Sequence, residues 1–483
     1  MTRGVLGVCC AVLVLSTSSV AGASRMVPLS DAIRKHDAAA VRALLQQHVD
    51  VNLTEGDGTT ALHWAAHLND LATVKLLLEA GANVEAANRY GVKPLSLACE
   101  AGNAAIVDQL LEAGADANAV AGGDTALMTA ARSGNVAVIQ RLLDYGADAN
   151  ARENWRGQTA LMWAASESNV GAVKALVKAG GNLGQRSQGG FTALLFAVRA
   201  GRIEAARELV ESGANVNDTM PDGTSALVLA IINAHYELAG ELVDRGADVN
   251  ADAQGWTPLH QLAWTRRPNG GLANPAAVAT GTLDSLDLAS RLLEHGALAD
   301  ARLKKDRNLG LEDRHNLNRI GATPFLLAAK AADVDLMRVL VEHGADPLLP
   351  TVDRTTALMA AAGVGVWNVG ESPGTNEEAL EAVKLMLALG GDVAGTNDFG
   401  YTALHGAAHR GADAIIELLV SKGARLDARL TKDGPMRGGS LAWRAGWTPL
   451  TIAEGVFYAG TFKRQVESAS LLRRLMAERG LSW

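Results

Sequence analysis

The stretch Thr60-Ala61-Leu62-His63-Trp64-Ala65-Ala66, followed at 76–82 by Leu-Leu-Leu-Glu-Ala-Gly-Ala, decides the fold of this chain. Close variants return at Thr257-Pro258-Leu259-His260 and at Thr402-Ala403-Leu404-His405-Gly406-Ala407-Ala408. Eight of the eleven steps between successive copies are 32 to 34 residues long, which is typical of a repeat array. The copies begin at Val27, Thr60, Lys93, Thr125, Thr159, Thr192, Ser225, Thr257, Thr323, Thr356, Thr402 and Thr448.

Each copy predicts two short helices joined by a turn. Thr or Ser at the start is a helix N-cap, and a proline after it, as at Pro258, fits the first helical position. The alanine pair lets the second helix approach closely, and Gly81 ends that helix. A glycine two residues before the start predicts a turn with positive φ, and after the first copy only Arg354 interrupts this series.

This pattern resembles the ankyrin-repeat family, whose signature is Thr-Pro-Leu-His-x-Ala, and the resemblance covers residues 27–480. It implies an all-α repeat solenoid of about twelve stacked helix-turn-helix units with β-hairpin turns. It also implies a non-catalytic adaptor or scaffold that holds a protein partner through hairpin tips and exposed residues of the first helices. We expect the array to be a monomer on its own, without a cofactor.

The sequence predicts a signal peptide at 1–23 and one solenoid at 24–483. Within the solenoid, residues 27–59 form an N-terminal cap repeat and 60–256 form regular repeats. Repeats with loop insertions follow at 257–447, and a C-terminal cap repeat occupies 448–483.

The first 23 residues combine Arg3, an apolar stretch and the small residues Ala21-Gly22-Ala23. These features favour export to the periplasm or secretion, while a lipoprotein signal at Cys9 fits less well because most of the apolar stretch follows it. Removal of the leader leaves Cys99 as the single cysteine, so no intramolecular disulfide can form. We expect no membrane insertion of the mature chain.

A net charge of −8 argues against a general nucleic-acid binder. Two basic stretches stand out against this acidic background, at 302–319 and 429–445. They would attract an anionic polymer or an acidic partner, or else they are solvated loops whose charge only maintains solubility. Their cationic candidates are Arg302, Lys304, Lys305, Arg307, Arg437 and Arg444.

Three alternate units also contain additional residues between their two helices, at 264–282, 363–378 and 455–465. Stacking does not need such loops, so we expect partner recognition mainly from residue 256 onward. The long step from Thr257 to Thr323 is also consistent with a decayed whole repeat, although a single Leu-Leu…Gly-Ala ending favours two loops.

The candidate binding residues are aromatic and cationic side chains at tips, exposed first-helix positions and loops, because such side chains anchor interfaces. They are Trp155, Phe191, Arg132, Arg199, Trp256, Trp264, Lys330, Trp367, Phe399, Tyr401, Arg410, Trp447, Phe457 and Tyr458, with Tyr90, His67 and His409 at equivalent positions. Trp64, Trp163, Phe196 and Cys99 are instead predicted to lie in the core.

The sequence contains only weak matches to metal-binding and catalytic motifs. His63 with His67 and His405 with His409 have helical spacing for two metal ligands, but two ligands do not make a site, and we expect His63 and His405 to make structural hydrogen bonds. Residues 370–374 fit G-x-S-x-G without the required strand-to-helix context. The alternatives to an adaptor are an enzyme or enzyme subunit using Glu371, Ser372 and His409, or a binder of an anionic envelope polymer.

Overall fold

The computed structural model describes residues 28–268, 277–306, 317–366, 373–433, 444–458 and 461–483, with backbone only for 456–463. The predicted leader and the start at Val27 therefore lie outside the described residues. The described residues form 24 helices and four short strands in two compact units, which divide between Asp218 and Thr219.

The first unit consists of helix pairs. In chain order they are α1 (Pro28–Arg34) and α2 (Ala38–Gln46), α3 (Ala61–His67) and α4 (Leu71–Glu79), α5 (Pro94–Ala101) and α6 (Ala104–Glu112), α7 (Ala126–Ser133) and α8 (Val136–Asp144), α9 (Ala160–Ser166) and α10 (Val170–Lys178), and α11 (Ala193–Arg199) and α12 (Ile203–Glu211). The tip before α7 is a two-stranded hairpin of β1 (Val120–Ala121) and β2 (Asp124–Thr125).

The second unit repeats the arrangement with longer connections. Its elements are α13 (Ala226–Ile232) and α14 (Tyr236–Asp244), α15 (Pro258–Arg266) and α16 (Ser285–Glu294), α17 (Pro324–Lys330) and α18 (Val334–Glu342), α19 (Ala357–Ala362) and α20 (Asn376–Ala388), α21 (Ala403–Arg410) and α22 (Asp413–Ser421), and α23 (Pro449–Glu454), β3 (Val456–Tyr458), β4 (Thr461–Lys463) and α24 (Val466–Glu478).

The predicted N-caps are present. The hydroxyl of Thr125 accepts a hydrogen bond from the Met128 backbone N–H at 3.2 Å, and Thr323 caps α17 in the same way through Leu326. Lys93 occupies the N-cap position of α5, but its side chain does not cap the helix, because lysine has no hydrogen-bond acceptor. The N-cap residues therefore fix where most first helices begin.

The tip glycines all have positive φ, as the sequence predicts. They are Gly58, Gly91, Gly123, Gly157, Gly190, Gly223, Gly255, Gly321, Gly400 and Gly446. Arg354, which interrupts the glycine series, also has positive φ, at 63°. The left-handed turn is thus a property of the architecture, and Arg354 adopts it despite its side chain.

Each unit's core lies between neighbouring helix pairs. First helices pack side by side, α3 on α5, α7 on α9 and α9 on α11, and in the second unit α13 on α15 through to α21 on α23. The leucines that follow the N-caps are fully buried, as Leu62 and Leu127 illustrate, and Ala65 and Ala66 have no exposed surface. Burial of small alanines between helices explains the close pairing.

Neighbouring pairs are also joined by asparagine side chains after the second helix. Asn118 donates from Nδ2 to the Gly146 carbonyl at 3.1 Å and accepts from the Asp148 N–H at 2.8 Å. Asn150 makes the same two bonds to Gly180 and Asn182. Each asparagine thereby satisfies backbone groups at the end of the second helix of the next repeat.

The boundaries of two of the three predicted insertions require correction, and the third insertion lies between α23 and α24 as predicted. Trp264 lies within α15, which continues to Arg266, so the first connection begins later than predicted. The second connection ends at Thr375, which caps α20, because its hydroxyl accepts a hydrogen bond from the Glu378 N–H. The third contains the antiparallel hairpin of β3 and β4. No helix in the described part of the chain has the length and hydropathy needed to cross a bilayer.

Candidate interaction surface

The first helices and the hairpin tips of the first unit bring arginine and aromatic side chains together at residues 132–199. We define the arginine–aromatic surface as Arg132, Trp155, Arg156, Trp163, Phe191 and Arg199. Helices α7, α9 and α11 lie side by side beneath it, and the tips before α9 and α11 are joined by a hydrogen bond from the Gln188 N–H to the Arg156 carbonyl at 2.7 Å.

Arg132 connects two neighbouring repeats. Its guanidinium carbon lies 5.4 Å from the centre of the Trp163 ring, and one of its nitrogens lies 3.6 Å from Asp124. The pKa of Asp124 is raised because burial outweighs the charge of Arg132. Trp163 is half-buried, so the core position expected for it is only partly correct. Arg132 covers the Trp163 ring on one side.

Trp155 and Arg156 form the exposed tip before α9. Trp155 is 55% exposed, and the Arg156 guanidinium lies over its ring at 5.0 Å. Glu153 beside them is buried, and its carboxylate accepts the backbone N–H groups of Trp155, Arg156 and Gln158. The buried carboxylate therefore stabilises the backbone conformation of the tip.

Arg199 lies over two phenylalanines at once. Its guanidinium carbon is 4.7 Å from the Phe191 ring centre and 5.0 Å from that of Phe196, and the two rings are 5.3 Å apart. Burial, and then the positive charge of Arg156, lower the pKa of Arg199 below its ordinary value. Phe196 is buried, as predicted, while Phe191 and Arg199 retain exposed surface.

The same pairing recurs at the start of the chain. Arg34 lies 5.1 Å from the ring centre of Trp64, whose indole N–H donates to Glu55 at 3.2 Å. Burial raises the pKa of Glu55 despite the nearby Arg34. Trp64 is buried, as predicted, whereas His67 is exposed.

The first candidates of the second unit are partly covered. Trp256 and Trp264 meet edge to face at 5.7 Å, and Arg319 lies over the Trp264 ring at 5.2 Å. Arg319 is only 2% exposed and donates to Asp306 at 2.6 Å. The described part of the basic stretch at 302–319 is therefore folded, and Arg319 stabilises it through its hydrogen bond to Asp306.

The other described cationic candidates of that stretch are all exposed. Lys304 forms an ion pair with Asp252, while Arg302 and Lys305 are exposed. In the stretch at 429–445, Arg444 is exposed. Arg307 and Arg437 lie outside the described residues.

The tip at Phe399 and Tyr401 is half-buried. Their rings are 6.2 Å apart, and Lys432 lies 5.2 Å from the centre of the Phe399 ring. Burial is the main cause that raises the pKa of the Tyr401 hydroxyl above its ordinary value. Trp447 is also half-buried, and its carbonyl accepts the Leu430 N–H at 2.9 Å.

The expectation that Lys330, His409 and Arg410 are exposed is wrong. Their exposed fractions are 9%, 3% and 4%. Arg410 donates to the carbonyls of Gly374 and Thr375 and to the side chain of Asn376, so the end of the connection before α20 covers it. These residues contribute to the packing of the second unit.

The chain itself covers part of the first-helix face in the second unit. Gly363–Val366 is a strap after α19, in which Val364 and Val366 are buried. A Cβ at Gly406 of α21 would lie 2.5 Å from the Val364 nitrogen, and one at Gly365 would lie 2.6 Å from the Leu317 Cβ. The strap thus packs against the first helix α21.

Ion pairs join the connections of the second unit. Arg266 donates to the buried Asp333 at 2.7 Å, and Arg267 lies 2.9 Å from Glu378 at the start of α20. Residues 277–282 bind the preceding pair, since the Thr282 N–H donates to Glu237 at 2.9 Å. The described ends of the inserted loops are therefore anchored to the helices.

The signature histidines have structural roles, as predicted for His63 and His405. Nδ1 of His260 lies 2.8 Å from the Thr257 hydroxyl, and Nε2 lies 3.1 Å from the Ala322 carbonyl. Burial lowers the pKa of both His260 and His405 to about 4. Within the described residues, no group of three or more His, Cys, Asp or Glu side chains is placed to hold a metal ion.

Several candidates cannot be placed. Trp367, Glu371 and Ser372 lie outside the described residues, as do the side chains of Phe457 and Tyr458. Cys99 is fully buried, as predicted, and burial raises the pKa of its thiol to about 12.

Sequence reasoning missed Arg34 and Arg156. The sequence contained a signal for Arg34. Arg34 and Arg132 occupy the same position of the first helix in their repeats. In both cases the following repeat has a tryptophan, Trp64 or Trp163, at the position three residues before that one. Arg156 adjoins Trp155 in a tip, but a stacked arrangement cannot be inferred from adjacency alone.

Stacked helix pairs that carry arginine and aromatic side chains on their first helices define the class of the protein as a helical repeat protein. Models of ankyrin repeats match residues 29–121, 127–220 and 194–270, and a single-repeat model matches 320–352 and 399–429. The matches cover more than half of the chain, which belongs to the ankyrin-repeat family. Ankyrin repeats generally mediate protein–protein interaction, and such families are typically non-catalytic.

Two solved structures are similar to parts of the chain. The human ASB11 ankyrin repeat domain is 30% identical, with a TM-score of 0.43, over 46% of this chain and 99% of that one. The ankyrin repeat domain of Bcl-3, a member of the IκB protein family, is 28% identical, with a TM-score of 0.40, over 43% of this chain and 94% of that one. A comparison with curated proteins gave no match.

Proposed function

We propose that this chain is a non-catalytic adaptor that binds a protein partner mainly through the arginine–aromatic surface of its first unit. The family supports a binding role, and the stacked, partly exposed rings and guanidiniums support this location. Aromatic and arginine side chains that are already held in place lose little conformational entropy when a partner covers them.

This location differs from the one that loop length alone favours. In the second unit, Gly363 and Val364 lie against Gly406 of α21, and Arg410 binds the connection before α20. Surface that the chain already fills is less suited to a partner than the open pairs at Trp155 and Arg199. Exposed Arg444 and half-buried Phe399 remain candidates for a secondary contact.

We further propose that the mature protein acts in the periplasm or is secreted. The support is the charge, apolar stretch and small residues of 1–23. Cell fractionation, together with N-terminal sequencing of the mature protein, tests this. A protein that keeps Met1 and remains in the cytoplasm would contradict it.

Photo-crosslinking tests the binding surface. A photoreactive phenylalanine at Trp155 is expected to capture one reproducible partner from the compartment in which the protein resides. The matched control places it at Lys174, exposed on the second helix α10. Equal capture at both positions, or none at Trp155, would contradict the proposed surface.

A further inference from the structure

We infer that the arginine–aromatic surface binds an acidic segment of its partner, with carboxylates on Arg156 and Arg199 and an apolar side chain beside Trp155 and Phe191. The inference rests on the proposed function and specifies the chemistry of the partner. It concerns two neighbouring tips, which the Gln188-to-Arg156 hydrogen bond holds together.

Charge is the first argument. Among the described residues, no carboxylate oxygen lies within 4.0 Å of the Arg156 guanidinium. The nearest acidic residue in the tip, Glu153, is 3% exposed and binds backbone N–H groups of its own turn. Arg132 differs, since it has Asp124 beside it. Among the described residues, the charge of Arg156 is therefore not neutralised by a neighbouring carboxylate.

The electrostatics of the surface support this argument. Burial, and then the charge of Arg156, lower the pKa of Arg199. Like charges held close together by the fold repel, and a carboxylate between them relieves that repulsion.

Stacking supplies the second argument. Arg156 lies on the Trp155 ring at 5.0 Å, and Arg199 lies on the Phe191 ring at 4.7 Å. A guanidinium that packs against a ring can still bind a carboxylate through its N–H groups in a bidentate manner. The exposed half of Trp155 offers apolar area at the same place.

A peptide fits this surface better than a nucleic acid. The chain has a net charge of −8, which repels a polyanion at long range, and the cationic centre contains two arginines. An acidic segment with apolar residues needs only local charge complementarity and can also bury Trp155. The structure therefore favours a protein segment rich in glutamate or aspartate with interspersed apolar residues.

Fluorescence anisotropy with the full-length mature protein tests the inference. The probe is a short labelled synthetic peptide in which glutamate and leucine alternate with glycine, and its control has glutamine in place of glutamate. We expect the glutamate peptide to bind at least about tenfold more tightly than the glutamine peptide, a difference of about 1.4 kcal/mol. Its affinity should fall as salt is added.

Variants assign the binding to the two arginines. Arg156→Gln with Arg199→Gln should weaken binding of the glutamate peptide about tenfold, and Arg156→Lys with Arg199→Lys should weaken it less, because charge remains while the planar fork is lost. Arg42→Gln with Arg338→Gln removes the same charge from exposed positions elsewhere and should leave binding within about twofold.

Three results would overturn the inference. They are failure of the glutamate peptide to bind, equal binding of the two peptides, and equal affinity of the glutamine variant and its control. Displacement of the peptide by a much lower concentration of single-stranded DNA would assign the surface to nucleic acid instead. A crosslinked partner that still binds Arg156→Gln with Arg199→Gln, but not Trp155→Ala, would refute the acidic segment and leave the adaptor function standing.

Discussion

Arg354 shows how strongly the architecture controls a single residue. It has φ of 63° at the position where the other described tips after the first repeat have glycine. Left-handed backbone costs a residue with a side chain about 1–2 kcal/mol, and the Arg354 side chain forms an exposed ion pair with Asp398 at 2.6 Å. The position thus carries a local backbone cost.

We predict that Arg354→Gly stabilises the protein by about 0.5–1 kcal/mol, because relief of the backbone cost exceeds the loss of an exposed ion pair. The urea midpoint of unfolding measures the change. Asp398→Ala, which removes only the ion pair, is the control and should change stability by less than about 0.5 kcal/mol. Destabilisation by Arg354→Gly beyond that of the control would contradict this explanation.

The histidines of the repeat signature combine burial with two hydrogen bonds. In His260 and His405 the folded pKa is about 4, below the ordinary value of 6.5. Between these values the unfolded chain binds more protons than the folded one, so stability present above pH 6.5 is lost as pH falls toward 4. The loss reaches about 2 kcal/mol per histidine at pH 5.

We therefore predict that the second unit becomes less stable between pH 7 and pH 5. In His260→Gln with His405→Gln, the difference between the urea midpoints at the two pH values should shrink, whatever the starting stability. His343→Gln, at an exposed position, should leave the difference unchanged. The same pH dependence in all three proteins would show that other groups cause it.

At the scale of the element, the strap after α19 explains why α21 contains a glycine. A Cβ at Gly406 would lie 2.5 Å from the Val364 nitrogen and 2.9 Å from the Gly363 carbonyl carbon. Both are backbone atoms, which cannot rotate away. Helix α21 accordingly has room for the strap at Gly406, and Val364 of the strap is buried.

Gly406→Ala is expected to destabilise the protein by about 1–3 kcal/mol, because crowding against the strap outweighs the gain in helix propensity. Gly171→Ala in α10 is the matched control, since the nearest atom there is the Val136 Cγ2, the end of a side chain that can move. Denaturation by urea measures both. Equal effects of the two substitutions would show that the strap does not restrict α21.

The helices were largely predictable because each has a local signal. Thr125 and Thr323 cap their helices through their own side chains, and the tip glycines meet a backbone requirement at fixed positions. Helix ends in the insertions were less predictable. Trp264 extends α15 because it packs on Trp256 and Arg319, and Arg319 is distant in sequence.

The candidate surface was only partly predictable. Arg132, Trp155, Phe191 and Arg199 follow from repeat position. The burial of Lys330 and Arg410 does not, because it depends on where an inserted connection folds back. Arg156 was missed because its role depends on stacking and on the inward orientation of Glu153.

At the scale of the whole molecule, the two units use their first helices differently. The first unit leaves stacked arginine–aromatic pairs partly exposed at Trp155, Phe191 and Arg199. The second unit places its own connections over α21 and over Arg410. This contrast is the basis for assigning partner recognition mainly to the first unit.

The most direct test compares the affinity of the crosslinked partner for two double variants. Trp155→Ala with Arg199→Gln removes an aromatic and a cationic side chain from the first unit, and Phe399→Ala with Arg444→Gln removes the same types from the second. We predict a loss of about tenfold or more for the first variant and less than about threefold for the second, measured by titration calorimetry. The reverse order would contradict the account and assign recognition to the loop-rich part of the chain.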